Sequence, residues 1–177
     1  YYSASREPFD IVLRIIGEGV YNKIINSGLS IKETKAVSLD ELRMIANISR
    51  VVFHDSWGYT ELNEQEFIKL YSSEKLATHL NTLYLLYKGD EMIGFCSTSK
   101  EDGHTLICKT IAVLPPYQGL GLGNALAYKF HFDAQKEGFQ KIIYALIREG
   151  NNVKNFPKDD AVIFRRYAAF EFKLGSI

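Results

Sequence analysis

The sequence predicts an α/β (α+β) domain with a mixed, mostly antiparallel central sheet flanked by helices. Three observations lead there. Apolar residues recur at helical spacing in the N-terminal part, at Val12, Ile16, Val20 and Ile24 and again at Leu42, Ile45 and Val52. From Asn81 the period changes to two, over runs joined by Gly89-Asp90 and Asp102-Gly103, and hairpin turns of this kind make antiparallel neighbours. The last of these runs then passes through Pro115-Pro116 and alternate glycines into a further helix-period segment.

In order, Pro8 to Asn26 reads as a helix that Gly28 closes, although Gly17 and Gly19 each weaken it. Leu29 to Val37 reads as a first strand. Ser38 with Glu41 forms a capping box that opens a second helix, whose apolar face carries Leu42, Ile45 and Ile48. An aromatic and polar loop, His54 to Tyr59, leads to a helical region from about Asn63 to His79 with Phe67, Leu70 and Leu76 inward. Thr82 to Lys88 is apolar on both faces and so central, followed by strands at Met92 to Lys100 and Thr105 to Leu114. The helix after the glycines presents Leu122, Leu126, Phe130 and Ala134 on one side and stops at Gly138. Lys141 to Ile147 is the next strand. Asp160 to Ala169 reads as a short helix or turn, and Glu171 to Leu174 as a final strand. With no repeat or linker, residues 1–177 are expected to form one domain with an extra helix at about 8–27.

Composition excludes several classes. Lysine plus arginine and aspartate plus glutamate both number 21, so the net charge is zero, which argues against a whole-surface nucleic-acid binder and leaves room only for a local basic patch; no nucleic-acid partner is expected. No apolar run is long enough to span a bilayer and no signal peptide is visible, so no membrane partner and a cytoplasmic location are expected. The chain opens at Tyr1 rather than methionine, which leaves room for an upstream segment. Cys96 and Cys108 lie in apolar runs and read as buried free thiols. His79, His104 and His131 are scattered without metal-ligand spacing, so no metal is expected. The sequon Asn47-Ile48-Ser49 lies inside a predicted helix and is set aside.

The most informative stretch is Tyr117-Gln118-Gly119-Leu120-Gly121-Leu122-Gly123-Asn124, placed between a strand and a helix. Glycines at such a turn let bare N–H groups point one way, and the first helical turn adds unpaired N–H groups and the positive end of its dipole. That is a cradle for phosphate or pyrophosphate. The dinucleotide fingerprint G-x-G-x-x-G fails, because its third glycine position is Asn124 or Leu126. The Walker pattern fails for want of Gly-Lys-Ser/Thr. Q/R-x-x-G-x-G/A fits, as Gln118 to Gly123 after Ile111-Ala112-Val113-Leu114-Pro115.

This combination resembles the acetyl-CoA-binding motif of the GCN5-related N-acetyltransferase (GNAT) superfamily, and the element order from Leu29 onward is similar to that fold. The resemblance implies a sheet splayed at the strands around the glycine turn, with acetyl-CoA as cosubstrate in the opening. Ile111, Ala112 and Val113 would then offer backbone to the pantetheine. The N–H groups of Gln118, Gly119, Leu120, Gly121, Leu122, Gly123 and Asn124 would hold the pyrophosphate. It also implies an asparagine on the cofactor arm, here Asn151 (or Asn152), and a tyrosine acid, here Tyr167, on a helix after the second splayed strand. Tyr167 lies in Phe164 to Phe172, a loose echo of the family's Y-x-x-x-G-F ending with Glu171 for glycine. A packed tyrosine bonded to a backbone carbonyl is the plain alternative.

The departures are specific. The Asn-to-Tyr interval is longer than usual, and the strand position that holds a base glutamate in some relatives is Leu146. Glu149 is the nearest carboxylate but reads as solvated. His54, Asp55, Trp57 and Tyr59 fall where the family shapes its acceptor pocket. Arg165-Arg166 could meet a CoA phosphate or an acidic acceptor, or form a solvated face. The expected function is acetyl transfer to a primary amine, small-molecule or protein, by direct attack in a ternary complex, with a homodimer left open. The alternatives are a GNAT-fold module that holds CoA without chemistry and a protein-interaction domain.

Overall fold

The computed structural model describes residues 1–6, 17–56, 58–72, 74, 78, 80–148 and 162–168. The described elements are β1 (Tyr2–Arg6), α1 (Glu18–Asn26), β2 (Leu29–Thr34), α2 (Leu39–Phe53), α3 (Glu64–Leu70), β3 (Thr82–Lys88), β4 (Glu91–Lys100), β5 (Thr105–Val113), α4 (Leu122–Lys136), β6 (Lys141–Ile147) and β7 (Val162–Arg166). They form one seven-stranded sheet in the order β2-β3-β4-β5-β6-β1-β7. Every neighbouring pair is antiparallel except β5 with β6.

Two apolar layers sandwich the sheet. On one face α1 and α4 cover Tyr84, Leu86, Ile93 and Ile142, with Leu122, Leu126, Phe130 and Ala134 facing in, the side read from the periodicity. On the other face α2 lays Leu42, Ile45 and Ile48 against Leu83, Leu85, Phe95 and Ala112. β3 and β4 are buried on both faces because each layer uses alternate residues of the same strand. Cys96 and Cys108 are buried free thiols, their Sγ atoms 4.0 Å apart.

The capping box forms as the sequence predicts. Glu41 N–H donates to Ser38 Oγ (3.2 Å), and Ser38 N–H donates to Glu41 Oε2 (2.8 Å). The same carboxylate takes Lys32 Nζ at 2.6 Å and the Tyr87 hydroxyl at 3.1 Å, fastening α2 to β2 and β3. Burial alone raises the Glu41 pKa, but the hydrogen bonds from Lys32, Ser38 and Tyr87 outweigh it and hold it below the ordinary value. This carboxylate therefore contributes stability above the usual carboxylate pKa and loses it as pH falls through the lowered one. In urea melts, Glu41→Gln should be less stable than the parent at pH 7, and the gap should narrow towards pH 3. A pH-independent gap would mean that packing, not charge, is what the residue provides.

Four expectations need correction. Tyr1 to Arg6 has no assigned element in the sequence reading, yet β1 inserts between β6 and β7. Val162 to Arg166 is a strand rather than a helix or turn, because it has β1 to pair with, Tyr2 against Arg166 and Ser5 against Val162. The first strand after α1 stops at Thr34, where Thr34 Oγ1 closes a turn by accepting from Ala36 N–H at 3.0 Å. The helical region opened by Asn63 is interrupted: α3 ends at Leu70, which is half-exposed rather than inward, and Glu74 and Thr78 beyond it are again helical. For the predicted N-terminal helix, α1 is its described part; residues 7–16, Leu76, Glu149 and the predicted strand at Glu171 to Leu174 lie outside the described residues.

Candidate functional site

β5 and β6 run together only at their beginnings. Thr105 pairs with Lys141 and the register ends at Cys108 with Tyr144. Beyond that point each strand follows another neighbour. Ile111, Ala112 and Val113 pair with Cys96, Phe95 and Gly94 of β4, while Ile147 pairs with Tyr2 of β1. Among the described residues the facing edges of β5 and β6 are unpaired there, which leaves a wedge-shaped opening. Ile111 and Val113 turn their side chains to the α4 face and Ala112 to the α2 face, so backbone is what lines the opening. At its foot His131 of α4 meets the Tyr144 hydroxyl at 2.8 Å, both buried, and fixes the helix to the strand where the two strands part.

A 3-10 turn, Pro115–Tyr117, ends β5 and delivers the chain to the glycines. Gln118 serves this turn: its N–H donates to Pro115 O (3.1 Å) and its Nε2 to Val113 O (2.8 Å). Its backbone N–H is thus engaged within the turn, and the N–H groups that meet no acceptor among the described residues begin at Gly119. Gly119 (φ +78) and Gly121 (φ +82) take the left-handed conformation that turns the chain into α4. The first hydrogen bond of the helix is Ala125 N–H to Gly121 O, at 3.0 Å. Among the described residues no acceptor meets the N–H groups of Gly119, Leu120, Gly121, Leu122, Gly123 or Asn124. No acidic side chain occupies the first turn of α4. These donors and the positive end of the helix dipole lie together at the wide end of the opening, an arrangement of the kind that suits an anion.

Tyr167 is not on a helix. It follows β7, two strands away from β6, where its N–H donates to Tyr1 O (2.8 Å). Its hydroxyl lies 3.3 Å from Ser3 Oγ, and Ser3 Oγ accepts the Leu146 N–H at 3.4 Å. Hydrogen bonding to Ser3, with the nearby Arg165, lowers the Tyr167 pKa. Leu146 has φ +53, unusual for a residue with a Cβ, and it is 60 % exposed on the parted half of β6. The register of β1 against β6 slips here, between Tyr2 and Ala4. Ser3 thus joins Tyr167 to the rim of the opening, a link that the sequence reading missed. Its one signal was the alternation Tyr2-Ser3-Ala4-Ser5 ahead of Pro8. Asn151 and Asn152 lie outside the described residues.

On the α2 face a cavity of about 860 Å³ lies between the sheet, α2 and α3. Tyr59, from the predicted pocket loop, lines it; burial and the neighbouring Glu61 raise its pKa. His54 and Asp55 are instead exposed and outside the described lining, with His54 Nε2 3.0 Å from Asp55 Oδ1, and Trp57 is outside the described residues. The floor includes Ser97, Lys109 and Thr110. Ser97 pairs with Thr110 and Thr98 with Cys108, so Lys109 is the extra residue of a β-bulge in β5. The bulge sits immediately after the last β5 residue that pairs with β6.

Among the described residues no cluster of His, Cys, Asp and Glu could hold a metal ion, and no helix is long and apolar enough to cross a membrane. Residues 42–155 match the model of the Acetyltransferase (GNAT) family. The chain is 30% identical over 112 residues to the [ribosomal protein bS18]-alanine N-acetyltransferase of Haemophilus influenzae, covering 60% of this chain and 74% of that protein. Among solved structures it resembles the PaiA N-acetyltransferase of Thermoplasma acidophilum in complex with coenzyme A (TM-score 0.54, 18% identity, 71% of this chain and 84% of that one). It also resembles an aminoglycoside acetyltransferase from an uncultured soil metagenomic sample, in complex with sisomicin (TM-score 0.57, 12% identity, 85% and 99%). At these identities the structural likenesses speak for the fold, and the family match speaks for ancestry: the chain belongs to the GNAT acetyltransferase family.

Proposed function

We propose that the chain transfers an acetyl group from acetyl-CoA to a primary amine, by direct attack while both substrates are bound. The observation that carries this reading is the opening between β5 and β6 with the N–H cradle of Gly119 to Asn124 at its end. Those N–H groups would hold the pyrophosphate, and the free edge of β5 at Ile111 to Val113 would bind the pantetheine as an added strand. Asn151 would contact the cofactor arm, as in the family. When bound, acetyl-CoA supplies the activated acyl group as a thioester. An N–H on the free edge of β5 polarises the thioester carbonyl, an effect typically worth about 3 kcal/mol. In the transfer one N–C bond forms and one C–S bond breaks; the amine loses a proton, and the departing sulfur gains one. Tyr167 is the proposed donor of that second proton, since its lowered pKa makes it a better acid than an ordinary tyrosine.

The relatives support N-acetylation in general: one is named for a protein alanine acceptor, another for aminoglycosides. A CoA-binding module without turnover is the second reading, favoured by Leu146 where some relatives carry a glutamate base. Thermal unfolding with and without acetyl-CoA tests the first step. A ligand at a hundred times its Kd adds roughly 2.7 kcal/mol, a clear rise in midpoint. No rise at millimolar acetyl-CoA would end the acyltransferase reading, and a rise without turnover on any amine would leave the module.

A further inference from the structure

The cavity on the α2 face has a chemical character that the acetyl-transfer reading does not specify. Its walls are aromatic and aliphatic, with Phe53, Tyr59, Phe67 and Tyr71 on the helical side and Leu83 and Phe95 on the sheet. Its volume, about 860 Å³, is within the range of small-molecule pockets. Among the described residues that line it, Lys109 is the single charged one and none is a carboxylate. Among the described residues Lys109 has no ion-pair partner. The bulge places this lysine directly after Cys108, where β5 leaves β6, so the one charge stands at the junction of cavity and opening.

That distribution selects among amines. A polycationic acceptor would bring several charges to a pocket whose described lining holds no anion and one cation, each charge losing solvation without compensation. An amine that carries a carboxylate a bond or two away would pair that carboxylate with Lys109 and bury an apolar side chain along Phe53, Phe67 and Leu83. The nearby cation also favours the neutral, nucleophilic form of the acceptor amine. We propose that the cavity is the acceptor site and takes an amino carboxylate with an aromatic or large apolar side chain, its carboxylate held by Lys109. This assignment rests on the acetyl-transfer reading for its chemistry, but not for its binding.

The test uses the full chain and two readouts. Release of the CoA thiol is measured with L-phenylalanine, phenethylamine, spermidine and a peptide with N-terminal alanine as acceptors. The expected result is a kcat/KM for phenylalanine roughly tenfold or more above phenethylamine, the usual size of one charge-assisted contact. Lys109→Met should bring the two together and Lys109→Glu should reverse them; Lys109 is exposed on the bulge, so neither change empties the core. Preference for spermidine or the peptide, or an unchanged ratio in Lys109→Met, overturns the assignment. The second readout is calorimetric titration with phenylalanine in the absence of acetyl-CoA. Lys109-dependent binding there, with no acetyl-CoA effect on the unfolding midpoint, would uphold the cavity assignment while the acyltransferase reading fell. An acetyl-CoA effect without phenylalanine binding or turnover would do the reverse.

Discussion

Gly123→Glu should fold as the parent does and lose the rise in unfolding midpoint given by acetyl-CoA, with affinity down by at least a hundredfold. The position suits the purpose. Gly123 has an ordinary backbone conformation, and a Cβ built on it meets nothing within 4 Å. It lies in the first turn of α4, where a carboxylate favours the helix through the dipole. The same carboxylate would stand among the N–H groups proposed to hold the pyrophosphate, as a like charge and as an occupant of their space. Gly121 is a poorer site, since its φ of +82 and a Val20 Cγ1 atom 3.0 Å from the built Cβ make any side chain a burden on the fold itself. Circular dichroism would verify the fold and calorimetry would give the affinity. A Gly123→Glu protein that still binds acetyl-CoA like the parent would remove the cradle from the mechanism.

The second large effect is expected at Tyr167. Tyr167→Phe should lower kcat by about a hundredfold, at the lower end for a general acid, while leaving acetyl-CoA affinity near the parent value. Ser3→Ala supplies the readout that packing alone would not change. The Ser3 hydrogen bond contributes to the lowered Tyr167 pKa, so its loss should raise that pKa. The acid is active only while protonated, hence the alkaline limb of the kcat profile should move to higher pH in Ser3→Ala. Full activity in Tyr167→Phe would assign the tyrosine to packing, and an unmoved limb in Ser3→Ala would dissociate the two residues.

What the sequence revealed divides along a physical line. The glycine turn, the capping box of α2 and the buried face of α4 depend on neighbours a few positions apart, and each was readable at Gly119 to Gly123, at Ser38 and Glu41, and at Leu122 to Ala134. β1 and β7 were not, because they exist as strands by virtue of each other and of β6. β7 is exposed along its whole length, so no alternation of burial is impressed on Val162 to Arg166. The left-handed Leu146 has no local signature, as leucine ordinarily avoids that conformation. Lys109 looked like one more lysine until the register of β4 against β5 showed it to be the inserted residue of a bulge. The assignment of Tyr167 to a helix failed for the same reason as β7 did. Gln118 adds something the motif does not announce: its N–H and its Nε2 hold the turn together.

The placement of β1 bears on the order in which this chain can reach its native state. Ser5 lies against Ile143 and Val162, so the partners of an early-synthesised strand are the products of late synthesis. While a ribosome is still extending the chain, the meander β3-β4-β5 can zip through its short turns, but Tyr2 to Arg6 must wait with unpaired strand edges. Closing loops of this length is slow relative to forming hairpins. The linkage from Ser3 to Tyr167 would then be among the last contacts made, and a nascent chain would place its proposed acid only after its glycine turn.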